Sequence, residues 1–153
     1  MRVYLDTCSL QRPLDSKSQI RIMLEAEAVL GILALCESGE IALISSEVLR
    51  FETGRNPNVT RQEYAREVLS KATLQVAFSS GVEKRARELT ALGLKPLDAL
   101  HLASAEEGQA DYLCTCDDGF LKKVNPIKSL ATKVVSPVEL MQEIEKWQSK
   151  QNR

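Results

Sequence analysis

The chain is poor in histidine, in aromatic side chains and in net charge. One histidine among 153 residues excludes a zinc site built from clustered imidazoles. Aromatic residues make up 5% of the sequence, too few for the stacked platforms on which general single-strand binders rely. Twenty basic and 21 acidic residues leave a formal charge of −1, so no global basic field draws in nucleic acid. Any handling of a polyanion must rest on a local basic patch or a bound cation. No apolar run approaches the roughly 20 residues that span a bilayer, so no membrane is expected. Four cysteines are present, Cys8, Cys36, Cys114 and Cys116. No basic segment followed by a long apolar stretch opens the chain. Arg2-Val3-Tyr4-Leu5 reads instead as a strand. Free thiols in a cytoplasmic protein are the expectation.

What is present is ordinary for one globular domain: 44% hydrophobic and 27% charged residues. We expect a single domain over residues 1–149 and a frayed polar tail at 150–153. Short apolar runs alternate with amphipathic stretches. Strands are expected at Val3–Leu5, Ile41–Ile44, Leu74–Phe78, Tyr112–Thr115 and Lys133–Val135. Helices are expected over Gln19–Ser38, from Ser45-Ser46 through Phe51, from Thr60, over Ser80–Leu92, over Pro96–Glu107, on to about Val124, and from Pro137 to about Ser149. Gly39, Gly93 and Gly108 stand where helices should stop, and Thr60 with Glu63 has the spacing of a capping box. This βαβα alternation predicts an α/β fold: a three-layer α/β/α sandwich around a central, mostly parallel sheet.

Ligands of such sheets bind at the carboxyl ends of the strands. Asp6 follows the first strand, Glu47 the second and Asp117 the fourth, so three carboxylates leave one edge. Asp98 sits in the first turn of the helix that Pro96 opens. Its helix precedes the fourth strand, which brings Asp98 to the same edge if the chain crosses back suitably. Converging carboxylates repel one another, and a hard divalent cation resolves that repulsion. Mg²⁺ or Mn²⁺ on oxygen ligands can activate water against a phosphodiester.

At these positions the chain resembles the PIN-domain family. The matching segments are Val3-Tyr4-Leu5-Asp6-Thr7, Ser45-Ser46-Glu47-Val48-Leu49, Leu97-Asp98-Ala99-Leu100-His101-Leu102-Ala103, and Leu113-Cys114-Thr115-Cys116-Asp117-Asp118-Gly119-Phe120. The resemblance implies a PIN-like fold and a Mg²⁺- or Mn²⁺-dependent endoribonuclease acting on RNA. It also implies kinship with VapC-like toxins, which are neutralised by an antitoxin protein and often form homodimers. Carried over residue by residue, Asp6, Glu47, Asp98 and Asp117 match the catalytic, metal-holding quartet. Asp118 is an extra acid that can share the metal. Thr115 matches the hydroxyl position two residues before Asp117, and Thr7 and Ser9 are placed to hydrogen-bond the metal-holding carboxylates. Arg12 and Lys122 are the chosen phosphate contacts among the basic residues that flank the edge.

Blander readings stand beside these. Glu47 and Asp98 would complement helix dipoles in their first turns. Asp117-Asp118-Gly119 reads as a turn, and Asp6 as a brace for its loop. His101 reads as a hydrogen-bonded helix histidine, and Cys114 and Cys116 as buried apolar-like residues. The long helix of Ile22, Met23, Ala26, Val29, Leu30 and Leu33 is apolar on more than one side, as a homodimer contact would be. An aspartyl-phosphate phosphatase with Asp6 as nucleophile would want Asp-x-Asp, and Cys8 stands at the third position. A non-catalytic PIN-like RNA-binding or scaffold module is the other alternative, although all four acids are present.

Overall fold

The computed structural model describes residues 1–153. Five strands, β1 (Arg2–Leu5), β2 (Ala42–Ser46), β3 (Leu74–Val76), β4 (Tyr112–Cys114) and β5 (Lys133–Val135), form one sheet in the order β3-β2-β1-β4-β5, with every neighbouring pair parallel. The chain builds outward from β1 through β2 to β3, then returns to the other side of β1 for β4 and β5. That reversal falls between β1 and β4, so a crevice opens at their carboxyl ends.

Eight helices cover the sheet: α1 (Thr7–Leu10), α2 (Ile20–Glu37), α3 (Glu47–Gly54), α4 (Val59–Ser70), α5 (Ser80–Ala91), α6 (Pro96–Glu107), α7 (Asp118–Val124) and α8 (Pro137–Gln151). A 3-10 turn, Arg12–Leu14, follows α1. In register, Tyr4 lies beside Ile44 and Leu113. These three share a face, and α6 packs across it, bringing His101 edge-on to the Tyr4 ring. On β1, Val3, Tyr4 and Leu5 are all fully buried, as a central parallel strand covered on both faces requires. The expected sandwich is therefore the observed architecture.

One expectation about helix ends needs correction. The helix after β2 is followed by one that begins at Val59, where Asn58 accepts from the Arg61 N–H. The Thr60–Glu63 capping box is not used, because an Asx cap two residues earlier already satisfies the first turn. Gly39 and Gly93 do adopt positive φ, +84° and +110°. Gly108 does not: its φ is −77°, and the left-handed residue is Gln109 at +56°. Gly108 does cap α6 where that helix was expected to end, and a glycine there is demanded by packing. A Cβ there would lie 2.9 Å from Val76 Cγ2 and 3.1 Å from Ile44 Cγ2. Gly108→Ala forces α6 away from β2 and β3, and we expect it to lower stability by about 1–3 kcal/mol. A urea melt showing an unchanged midpoint would refute that packing account.

Candidate active site

Topology brings the acids together. β1 ends at Leu5, so Asp6 emerges at the crevice, where its carboxylate caps α1 by accepting the Ser9 N–H at 3.1 Å. The Asp6 N–H still bonds to the Cys114 carbonyl of β4, which pins the residue between the two central strands. Beyond β4, Asp117 caps α7, accepting the Gly119 N–H at 2.8 Å and the Phe120 N–H at 3.4 Å. The Asp117 N–H donates to the buried Thr115 hydroxyl at 3.1 Å. A short turn joins α6 to the amino end of β4, so the first turn of α6, which holds Asp98, lies at the carboxyl edge.

The electrostatics show burial acting on Asp6, and burial together with neighbouring carboxylates acting on Asp98. Asp6 is 4% exposed, and burial pushes its carboxyl well above the ordinary carboxylate range. The adjacent Cys8 thiol, 3.1 Å away, adds to that rise, while Thr115 and His101 work against it. Asp98 is raised too, by burial first, then by the charges of Asp117 and Glu52, with His101 and Lys95 opposing. Neither Asp6, Asp98 nor Asp117 has an ion-pair partner.

Glu47 is not in this group. It is exposed at the start of α3, where its charge favours the helix amino terminus. The acid that α3 sends toward the crevice is Glu52. It accepts from the Thr7 hydroxyl and lies 2.8 Å from His101 Nε2. Burial alone would raise its carboxyl, but the bonds from His101 and Thr7 prevail and hold it below the usual range. His101 is 2% exposed, and its Nδ1 lies 2.7 Å from the Tyr4 hydroxyl, itself 2.7 Å from Ser46 Oγ. A buried polar chain thus runs Ser46–Tyr4–His101–Glu52–Thr7. The sequence reading missed Glu52, yet helix periodicity carried the signal. Val48, Leu49 and Thr53 are the buried residues of α3, and Glu52 follows Leu49 and Val48 at three- and four-residue spacings, on the same inward face.

The remaining candidates are distributed as follows. Thr7 bonds to Glu52 rather than to Asp6. Ser9 serves Asp6 through its backbone, while its hydroxyl faces Cys116 Sγ at 3.6 Å. Asp118 turns away to form a two-pronged pair with Arg21, both contacts at 2.8 Å, which holds its carboxyl below the ordinary range. Arg12 is committed to Asp15 at 2.9 Å and to the buried Glu25 at 3.0 Å, because a buried carboxylate needs a cation beside it. Lys122 is exposed on α7 and free of any ion pair. Cys114 and Cys116 are buried, and all four cysteines are unbridged.

The family model of the PIN domain matches residues 3–125, a span that contains every acid of the crevice. The chain belongs to the PIN-domain family. PIN domains are generally nucleases that use divalent metal ions. No curated protein matches this one. Among solved structures, this PIN domain is similar to FitAcB from Neisseria gonorrhoeae, with 16% identity and a TM-score of 0.54 over 88% of this chain and 97% of that one. It is also similar to VapBC2 from Rickettsia felis bound to a DNA fragment from their promoter, with 16% identity and a TM-score of 0.59 over 89% and 98% of the two chains. At such identity the likeness is one of fold. No helix of this PIN domain is long and apolar enough to cross a membrane.

No three His, Cys, Asp or Glu side chains form a ready-made metal-ligand group. The donor chemistry nevertheless suits a hard cation: carboxylate oxygens, one of them nearly inaccessible, with no basic side chain paired to Asp6, Asp98 or Asp117. Asp117 is exposed and Asp98 half-buried, so both carboxylates are open to solvent at the edge where Asp6 is buried.

Proposed function

We propose that this PIN domain is a divalent-metal-dependent endoribonuclease whose cation, Mg²⁺ or Mn²⁺, is held by Asp6, Asp98 and Asp117, with Glu52 as the fourth acid in place of Glu47. The observation that carries the reading is a set of acids from four separate segments at one sheet edge, two of which, Asp6 and Asp98, are pushed toward protonation, by burial first. When bound, such a cation supplies charge stabilisation at the phosphodiester and makes a water nucleophilic near neutral pH. The Ser9 N–H fixes Asp6. The Thr115 hydroxyl anchors the Asp117 backbone. His101 and Thr7 keep Glu52 ionised and oriented. Lys122, on the helix that Asp117 caps, meets substrate phosphate.

We further propose that the protein is the toxin of a toxin–antitoxin pair and forms a homodimer. The fold likeness to FitAcB and VapBC2 supports the first. The apolar stripe on α2, where Ile20, Met23, Leu24 and Leu30 are 44–73% exposed, supports a protein partner on that face. A monomeric mass by light scattering would remove the dimer.

Cleavage of mixed single-stranded RNA with Mn²⁺ or Mg²⁺, and none in chelator, tests the reaction. Stability tests the metal separately. Asp6 and Asp98 bind protons more tightly folded than unfolded. The stability they contribute is therefore complete below the ordinary carboxylate value of 3.8 and lost as pH rises through their raised native values. In chelator the melting temperature should fall across that window. Saturating metal should restore it, by about 2.7 kcal/mol at a hundredfold excess over Kd, or roughly 5–10 °C for a domain of this size. Metal should do more at pH 8 than at pH 5, because protons compete for the same oxygens. No metal-induced rise at pH 8 would remove the proposed site.

A further inference from the structure

A second concavity lies outside the acid cluster. At the amino ends of β4 and β5, between α7, the 125–132 loop and the last turns of α8, a cleft of about 810 Å³ opens. Four lysines line it, Lys128, Lys133, Lys146 and Lys150, and all are exposed. Trp147, the only tryptophan of the chain, lines it half-buried. Two acids also face it, but both are engaged: Glu143 by the Tyr112 hydroxyl at 3.2 Å and Lys146 at 3.6 Å, and Asp111 by the Arg2 backbone N–H at 2.7 Å. The charge is regional. Residues 118–153 hold seven of the 20 basic residues and four of the 21 acids, a net of +3 in a chain whose total is −1.

We propose that this cleft is a second binding surface for single-stranded RNA, in which the lysines take phosphates and Trp147 stacks a base. The inference rests on the nuclease reading for its choice of polyanion. An acidic polypeptide would also match the charge of the cleft, but the basic residues do not stop there. Lys122 and Lys123 lie in the last turn of α7, whose Leu121 and Val124 line the cleft, and Asp117 caps the other end of that helix. Seven helical residues span about 10 Å, and three-residue strands span about 10 Å, so the cleft lies a short distance from the acids. A partner that fills the cleft, runs along α7 and reaches Asp117 is a strand of nucleic acid. Phosphate contacts combined with base stacking are the physics of single-strand binding, and in a chain too poor in aromatics for an extended platform the stacking is confined to one ring.

Trp147 is its own reporter. Asp6→Asn protein, titrated with a mixed-sequence single-stranded RNA, should show quenched tryptophan fluorescence. About four phosphate contacts predict a slope near −3 for log K against log salt, or roughly a 50-fold loss between about 50 and about 200 mM. The double variant Lys128→Glu/Lys133→Glu should bind at least about 10-fold more weakly. On the catalytically intact background it should raise KM for a long RNA while leaving kcat. Both lysines are exposed, so an unchanged melting temperature verifies the fold. Absence of quenching, quenching that the double variant retains in full, or tighter binding of a polyglutamate of matched charge would each overturn the proposal. Quenching without cleavage by the wild-type protein would leave the cleft standing and remove the nuclease. Cleavage without quenching would do the reverse.

Discussion

Replacing Asp6 by Asn should abolish the proposed RNA cleavage while preserving the fold and raising the melting temperature of the metal-free protein. The two effects share one cause. Asp6 is the most buried of the crevice acids, and its charge is opposed first by desolvation and then by the Cys8 thiol. Asn keeps the shape and still accepts the Ser9 N–H that caps α1, so the local backbone stays in place. What disappears is a buried negative charge, which is unfavourable without a counter-ion and would be required for holding the proposed cation. The variant should therefore melt higher than wild type in chelator at neutral pH, and should lose most of the extra stability that wild type gains from Mn²⁺. It should also lose most of the fall in stability that Asp6 causes as pH rises. Cleavage and differential scanning calorimetry on the same preparation check this. Wild-type cleavage by Asp6→Asn, or a lower melting temperature in chelator, would show that Asp6 is a structural brace and not a metal-holding acid.

The fold was legible because its determinants are local and repeat along the chain. Alternating apolar runs and helical periods were enough for five strands, and parallel pairing follows when each strand is separated from the next by a helix. Asp6, Asp98 and Asp117 were legible for the same reason: each sits at a strand end or in a helix's first turn, and topology alone carries such positions to the crevice. What escaped depended on orientation around a helix axis or on distant partners. Arg12 looked available in sequence, but Glu25, thirteen residues on, is buried and claims it. Asp118 looked like a twin of Asp117, but Arg21 of α2 draws it away. Gly108 does end α6 as its sequence position suggested, but the packing that requires a glycine there lies in distant side chains of β2 and β3. The short helix Thr7–Leu10 was not anticipated, because four residues carry too little periodicity to read.

Glu47 and Glu52 give the sharpest division between strand-end counting and helix geometry, and the two glutamines that test them should behave oppositely. Glu52→Gln should lower cleavage roughly 100-fold, in the range seen when a group that orients or completes a metal site is removed. Glu47→Gln should leave cleavage within about twofold and cost only the dipole contribution of about 0.3–1 kcal/mol. Five residues along an α-helix turn a side chain through about 500°, so the two glutamates cannot both face the crevice from one straight helix. Only Glu52 has neighbours suited to a working acid: the Thr7 hydroxyl, and His101 backed by Tyr4 and Ser46. The polar chain gives a second readout. If His101 acts by holding Glu52, His101→Ala should weaken metal binding and raise the metal concentration needed for half-maximal cleavage, and adding it to Glu52→Gln should cost little more. Independent, additive losses would place His101 outside the action of Glu52. A severe loss in Glu47→Gln with normal cleavage in Glu52→Gln would return the fourth acid to the start of α3, and α3 would then have to rotate from the position in which Val48 and Leu49 are buried.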